Sequence, residues 1–75
     1  MKLSEAKAVL EEAEFSTLMP TGVLGNQYRA MRNGFLEEVI YYDGVCSYWP
    51  KDSGEAMKFT DPSSLRKALR RAVGK

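Results

Sequence analysis

The run Phe35–Pro50, FLEEVIYYDGVCSYWP, constrains the fold more than any other stretch of the chain. Asp43-Gly44 divides it into two segments rich in β-branched and aromatic residues, and Asn33-Gly34 precedes it. Both dipeptides suit the type I′ two-residue hairpin, which needs positive φ at both central positions. The flanking residues fit a pleated, half-buried surface. The spacing therefore predicts an antiparallel meander beginning at Asn26.

The two turns set a register. Arg32 is expected opposite Phe35, Ala30 opposite Glu37 and Tyr28 opposite Val39. Across Asp43-Gly44, Tyr42 is expected opposite Val45, Ile40 opposite Ser47 and Glu38 opposite Trp49. Lys51-Asp52-Ser53-Gly54 then returns a short edge strand over 56–60, with Pro50 limiting pairing at that end. One sheet face carries Tyr28, Ala30, Phe35, Val39, Tyr41, Cys46, Tyr48, Met57 and Phe59, with Glu37 and Arg32 towards one end. The other carries Arg29, Met31, Leu36, Glu38, Ile40, Tyr42, Val45, Ser47, Trp49 and Lys58. The first is the better core.

A helix is expected on each side of the sheet segment. Ser4 is a candidate N-cap, and Ala6, Val9, Leu10 and Ala13 fall on one helical stripe, giving a first helix over 4–14. Three glutamates near its end oppose the helix dipole, a mismatch that a basic neighbour would relieve. Residues 15–25, punctuated by Pro20, Gly22 and Gly25, read as a loop whose Leu18, Met19, Val23 and Leu24 cover the edge of the core. Asp61-Pro62 starts the last helix, Leu65, Leu69, Ala72 and Val73 form its apolar stripe, and Gly74 ends it. The expected fold is a single α+β domain over 1–75. It is a two-layer sandwich of order α-β-β-β(-β)-α, with both helices on one face of the antiparallel sheet.

Composition bounds the function. With 44% hydrophobic and 28% charged residues the 75-residue chain is globular rather than disordered. A chain of this length buries only about 60% of its unfolded surface, so the core is small. No run is apolar enough to span a membrane, and no secretory signal opens the sequence. The single cysteine, Cys46, leaves no internal disulfide and suits a reducing cytoplasm. Net charge is +1, but it is graded: residues 1–15 carry −2, residues 16–60 carry −1 and residues 61–75 carry +4.

Two surfaces emerge as candidates. Arg66, Lys67, Arg70 and Arg71, with Lys75 beyond them, lie on the arc of the last helix opposite its apolar stripe and could track a phosphate backbone. The competing expectation is that the acidic first helix packs beside this arc and neutralises it. The second candidate is the uncovered sheet face. There Met31, Leu36, Ile40, Tyr42, Val45 and Trp49, flanked by Arg29 and Lys58, form an apolar and aromatic strip suited to a protein partner or a second copy of the chain. Catalysis finds little in the sequence. There is no histidine, Cys46 has no base to activate it, and Glu37 and Glu38 point to opposite faces. No spacing matches a metal or cofactor site.

The order helix, three strands, helix is shared by double-stranded-RNA-binding domains. Ser64-Leu65-Arg66-Lys67-Ala68 resembles the basic start of that family's last helix. The Asn33-Gly34 turn lacks the family's Gly-Pro-x-His, so the resemblance is one of architecture, from which function does not follow. The sequence thus predicts a small non-enzymatic cytoplasmic binding module. Its expected partner is nucleic acid, or a nucleoprotein complex, met through the last helix. The other expectation is a protein-binding regulator or inhibitor, of the kind phages and mobile elements encode, acting through the sheet face.

Overall fold

The computed structural model describes residues 1–73, with side chains as far as Arg70. Helix α1 (Leu3–Glu12) leads into five strands and then helix α2 (Pro62–Val73). The strands are β1 (Met19–Thr21), β2 (Gln27–Arg32), β3 (Glu37–Tyr42), β4 (Val45–Trp49) and β5 (Met57–Phe59). They form an antiparallel meander in spatial order β1-β2-β3-β4-β5. This is the expected α+β sandwich with one strand more than expected. No helix among the described residues is long and apolar enough to cross a membrane.

The Asp43-Gly44 turn forms as its chemistry requires, with φ of 50° and 83°. Glu38 accordingly lies opposite Trp49, Ile40 opposite Ser47 and Tyr42 opposite Val45. Asn33-Gly34 behaves differently. The connection runs through four residues, Asn33 to Leu36, closed by the Leu36 N–H on the Asn33 carbonyl (3.2 Å). Phe35 therefore leaves the strand, takes a φ of 73° and is 73% exposed, and Leu36 is exposed beside it. Arg32 faces Glu37 and Ala30 faces Val39, two positions away from the expected pairing.

A two-residue shift keeps every strand side chain on its face, so the core assignment survives except at Phe35, which leaves the strand, and at Met57, which is exposed on edge strand β5. The physical reason for the shift lies at Glu37. The expected register sets a buried carboxylate opposite Ala30, whereas the observed one sets it opposite Arg32.

Strand β1 occupies part of the segment expected as a loop. Pro20 cannot donate to a ladder, and β1 lies at the sheet edge, where that is tolerated. Ser16 ties the approach to β2: its N–H donates to the Met31 carbonyl (2.8 Å) and its hydroxyl accepts the Met31 N–H (3.0 Å). Phe15 and Leu18 are buried, but Met19, Val23 and Leu24 are exposed and do not cover the core.

Helix α1 begins after Lys2 rather than Ser4, and the Glu5 carboxylate accepts the Lys2 N–H (2.8 Å). It ends two residues early in a left-handed reversal. Glu14 has a φ of 69°, its N–H reaches the Glu11 carbonyl, and the Phe15 N–H reaches the Leu10 carbonyl (2.9 Å). This is a Schellman closure, with Phe15 and Leu10 both buried as its apolar contact. Helix α2 starts as expected, with the Asp61 carboxylate accepting the Ser64 N–H (3.0 Å) and Pro62 in first position. Its expected end at Gly74, and the stripe positions Ala72 and Val73, lie outside the described side chains.

Both helices pack on the same sheet face. Ala6, Val9 and Leu10 of α1 and Leu65 and Leu69 of α2 share one buried cluster with Ala30, Val39, Cys46 and Tyr48. Met1 closes one end of this layer. Its amino group donates to the carbonyls of Gly44 (2.7 Å) and Thr60 (3.0 Å), and its own carbonyl accepts the Tyr41 hydroxyl (2.8 Å).

Candidate interaction surfaces

The basic arc of α2 is built as the helical spacing implies, but acid lies beside it. Arg66 Nε sits 2.9 Å from Glu12 Oε1 of α1, in a half-exposed ion pair. Arg66 and Arg70 also line a small cleft between the helices, of ≈ 60 Å³, together with Val9, Glu12 and Ala13. Lys67 and Arg70 are exposed. The Arg71 and Lys75 side chains lie outside those described. Glu12, in the last turn of α1, thus sets a negative charge against this arc, and the positive field of α2 is partly cancelled there.

The dipole mismatch at the end of α1 is met twice over. Besides Arg66, the Arg32 guanidinium donates from Nη1 to the Ala13 carbonyl (2.9 Å), satisfying a backbone acceptor that a helix end leaves open.

Arg32 also belongs to a buried polar cluster. Arg32 Nε and Nη2 grip the Glu37 carboxylate at 3.0 and 2.6 Å. The Tyr48 hydroxyl donates to Glu37 Oε1 (2.6 Å), and Asn33 Nδ2 donates to Oε2. The guanidinium carbon lies 4.5 Å from the centroid of the Phe15 ring, which in turn meets Tyr48 edge-on. The hydrogen bond from Arg32 holds the Glu37 carboxyl below its usual range, outweighing the burial that opposes it. Burial works against the Arg32 charge, yet Glu37 more than compensates and the guanidinium pKa is raised. Tyr48 is pushed up to about 12, first by burial and then by Glu37.

Sequence reasoning placed Arg32 and Glu37 on the core face without seeing that they pair. The signal was present, since two opposite charges on an otherwise apolar face have to meet. The cluster contains an acid, a base and a phenol, but both oxygens of Glu37 are occupied and the side chain is 4% exposed. It holds the end of α1 onto the sheet.

Cys46 is fully buried on the core face, and burial raises its thiol pKa to about 11, the N-terminal ammonium partly opposing this.

The opposite sheet face carries no helix. Read across the strands, one row is Met31, Glu38 and Trp49, and the next is Met19, Arg29, Ile40, Ser47 and Lys58. Arg29 Nε and Glu38 Oε2 pair at 2.8 Å in its middle, so Arg29 takes the carboxylate that lies opposite Trp49. Met19 is 61% and Tyr42 49% exposed, while Met31, Ile40, Val45 and Trp49 are half-buried and Lys58 is exposed. A shallow depression of ≈ 320 Å³ opens at one end, lined by Ile40, Tyr42, Asp43, Val45, Ser47 and Lys58. Met31, Ile40, Tyr42, Val45 and Trp49, with Arg29 and Lys58, thus share one open face as expected. Leu36, expected among them, lies in the β2–β3 turn instead. No protein-family model, curated protein or solved structure matches the chain.

Proposed function

We propose that the protein is a small non-enzymatic binding module that engages a protein partner through the open sheet face. It would act as a cytoplasmic regulator or inhibitor by occupying a surface on that partner. One observation carries the reading: α1 and α2 both pack on the Ala30/Val39/Cys46/Tyr48 face, leaving Met31, Ile40, Tyr42, Val45 and Trp49 on a face that no helix covers. Trp, Tyr and Met are the residues that anchor interfaces, and they surround an ion pair that gives orientation rather than affinity. The reading as a nucleic-acid binder has weaker support, because Arg66 is paired to Glu12 and the arc borders the acidic end of α1.

Affinity capture from a lysate of the source cell separates the two readings. Three baits serve: the unaltered chain, Tyr42→Ser/Trp49→Ala, and Arg66→Gln/Lys67→Gln/Arg70→Gln. The expected result is a protein that stays bound when salt is raised to about 0.5 M, since apolar interfaces are little screened, and that only the sheet-face bait loses. Nucleic acid that elutes with salt, and that only the helix bait fails to hold, would replace this reading with the other.

A further inference from the structure

The β2–β3 turn is strained, and a side-chain amide helps to hold it shut. Asn33, Gly34 and Phe35 follow one another at φ of 55°, 63° and 73°, three left-handed residues in a row. That region is costly for a bulky residue such as phenylalanine, and the exposed Phe35 ring gains no packing in return. Two bonds oppose the strain. The Leu36 N–H donates to the Asn33 carbonyl (3.2 Å), and Asn33 Nδ2 donates to Glu37 Oε2 in the buried cluster.

Asparagine is a chemically labile residue, and most so before glycine, which puts no side chain in the way of attack by its own backbone nitrogen. Nothing lies within 4 Å of the position a Gly34 Cβ would take, and Asn33 and Gly34 are both exposed to water. The closed turn works against the attack. The Asn33 side chain has to fold back onto the Gly34 nitrogen, and to do so it has to leave Glu37.

We propose that Asn33 is a site of spontaneous deamidation gated by the β2–β3 turn: it reacts when the turn opens, and its product keeps the turn from closing as before. In the open turn the Gly34 nitrogen attacks Asn33 Cγ. A new N–Cγ bond forms, the Cγ–Nδ2 bond breaks, and the amide nitrogen leaves as ammonia with the Gly34 proton. Water then adds to one carbonyl of the resulting succinimide and opens the ring. Aspartate or isoaspartate is left at position 33, the second with one more carbon in the backbone. Water is the only other reactant, and nothing is oxidised or reduced.

The product turns a donor into a like charge. Nδ2 gave its hydrogen to Glu37, whereas the new carboxylate has none to give and sets a negative charge against Glu37 Oε2. Arg32 has no guanidinium nitrogen to spare for it, since Nε and Nη2 hold Glu37 and Nη1 holds the Ala13 carbonyl. The net charge of the chain falls by one, from +1 to zero. Because this cluster holds the end of α1 onto the sheet, the reaction loosens that junction, and it does not reverse.

The test follows residue 33 by mass. Trypsin releases Asn33–Lys51, in which Asn33 is the sole side-chain amide, so an amide-to-acid mass gain reports it alone. In one mildly alkaline buffer, with and without urea, the native chain should deamidate about 10- to 1,000-fold more slowly than the unfolded chain, the span that local opening allows. Phe35→Gly relieves the left-handed strain, holds the turn shut more firmly and should slow the native reaction about two- to fivefold. In fresh protein, Asn33→Asp should have a folding equilibrium constant at least about tenfold below that of Asn33→Ala. The alanine loses the same donor and tolerates the left-handed backbone no better, but adds no charge.

A native rate equal to the unfolded one means that the turn is no gate, and overturns the proposal. A native rate more than about 1,000-fold slower means that the turn does not open short of global unfolding, and overturns it equally. So does an unchanged or faster reaction in Phe35→Gly. Asn33→Asp as stable as Asn33→Ala would show that the product closes the turn, and would overturn the second half of the proposal. If either substitution at position 33 fails to fold, the product accumulated in native protein is compared with fresh protein in the same urea denaturation.

Discussion

Replacing Glu37 by Gln removes the charge at the centre of the buried cluster and changes little else in volume. The Glu37 carboxylate accepts four hydrogen bonds, two from Arg32 and one each from Tyr48 and Asn33. The neutral amide has one acceptor oxygen and would turn an NH₂ group towards donors. Arg32, with a side chain 6% exposed, would keep its charge with no counter-charge. Breaking a buried pair from one side costs about 3–5 kcal/mol. A domain of this length has roughly 4–11 kcal/mol of stability, so the substitution removes about a quarter of it or more. Urea denaturation followed by Trp49 fluorescence, at pH 7 and at pH 3, measures the effect.

The pH dependence follows from the direction of the Glu37 shift. Its folded pKa lies below the ordinary value of 4.5. The stability it contributes is therefore complete above about pH 4.5 and is lost as pH falls through the folded pKa. Glu37→Gln should show its full deficit at pH 7, and the gap should narrow progressively in acid as the carboxylate of the unaltered chain is protonated. A deficit under about 1 kcal/mol at pH 7, or one that stays constant into acid, would refute the role given to the pair.

Other substitutions probe separate parts of the account. Glu14→Gly removes a side chain from a left-handed residue at the end of α1 and should stabilise the protein by about 0.5–1 kcal/mol in the same urea assay. Cys46 should react with a thiol reagent at pH 8 at least about 100-fold more slowly in native than in denatured protein, because burial hides it and raises its pKa. Trp49→Ala should cost less than the about 3–5 kcal/mol of a core aromatic truncation, since Trp49 is half-buried on the open face. A full core-sized loss there would make the ring a packing residue.

Where turn chemistry acted alone, the sequence could be read directly. Asp43-Gly44 and Asp61-Pro62 each have one favoured geometry, and they suffice to place the β3–β4 pairing and the start of α2. Asn33-Gly34 has the same local preference, yet its outcome was decided by Glu37, which is buried only because Arg32 is opposite. No local rule anticipates that Phe35 will accept a left-handed conformation so that a carboxylate two residues on finds its partner. Strand β1 escaped for a related reason: three residues with a central proline carry no alternation, and only pairing to β2 makes them a strand. The open face was legible because a two-residue shift preserves side-chain parity. The exposure of Val23 and Leu24 was not, since apolar residues in a sequence are read as buried until something shows them exposed.

The account rests on the open sheet face being where the protein meets its partner, and backbone amide NMR tests that most directly. The labelled chain is titrated with the captured partner or, for self-association, followed through its own concentration range. The predicted result is that shifts concentrate on the strand residues Met31, Ile40, Tyr42, Val45 and Trp49, with Lys67 and Arg70 of α2 unmoved. Shifts confined to α2, with those strand residues unchanged, would contradict it.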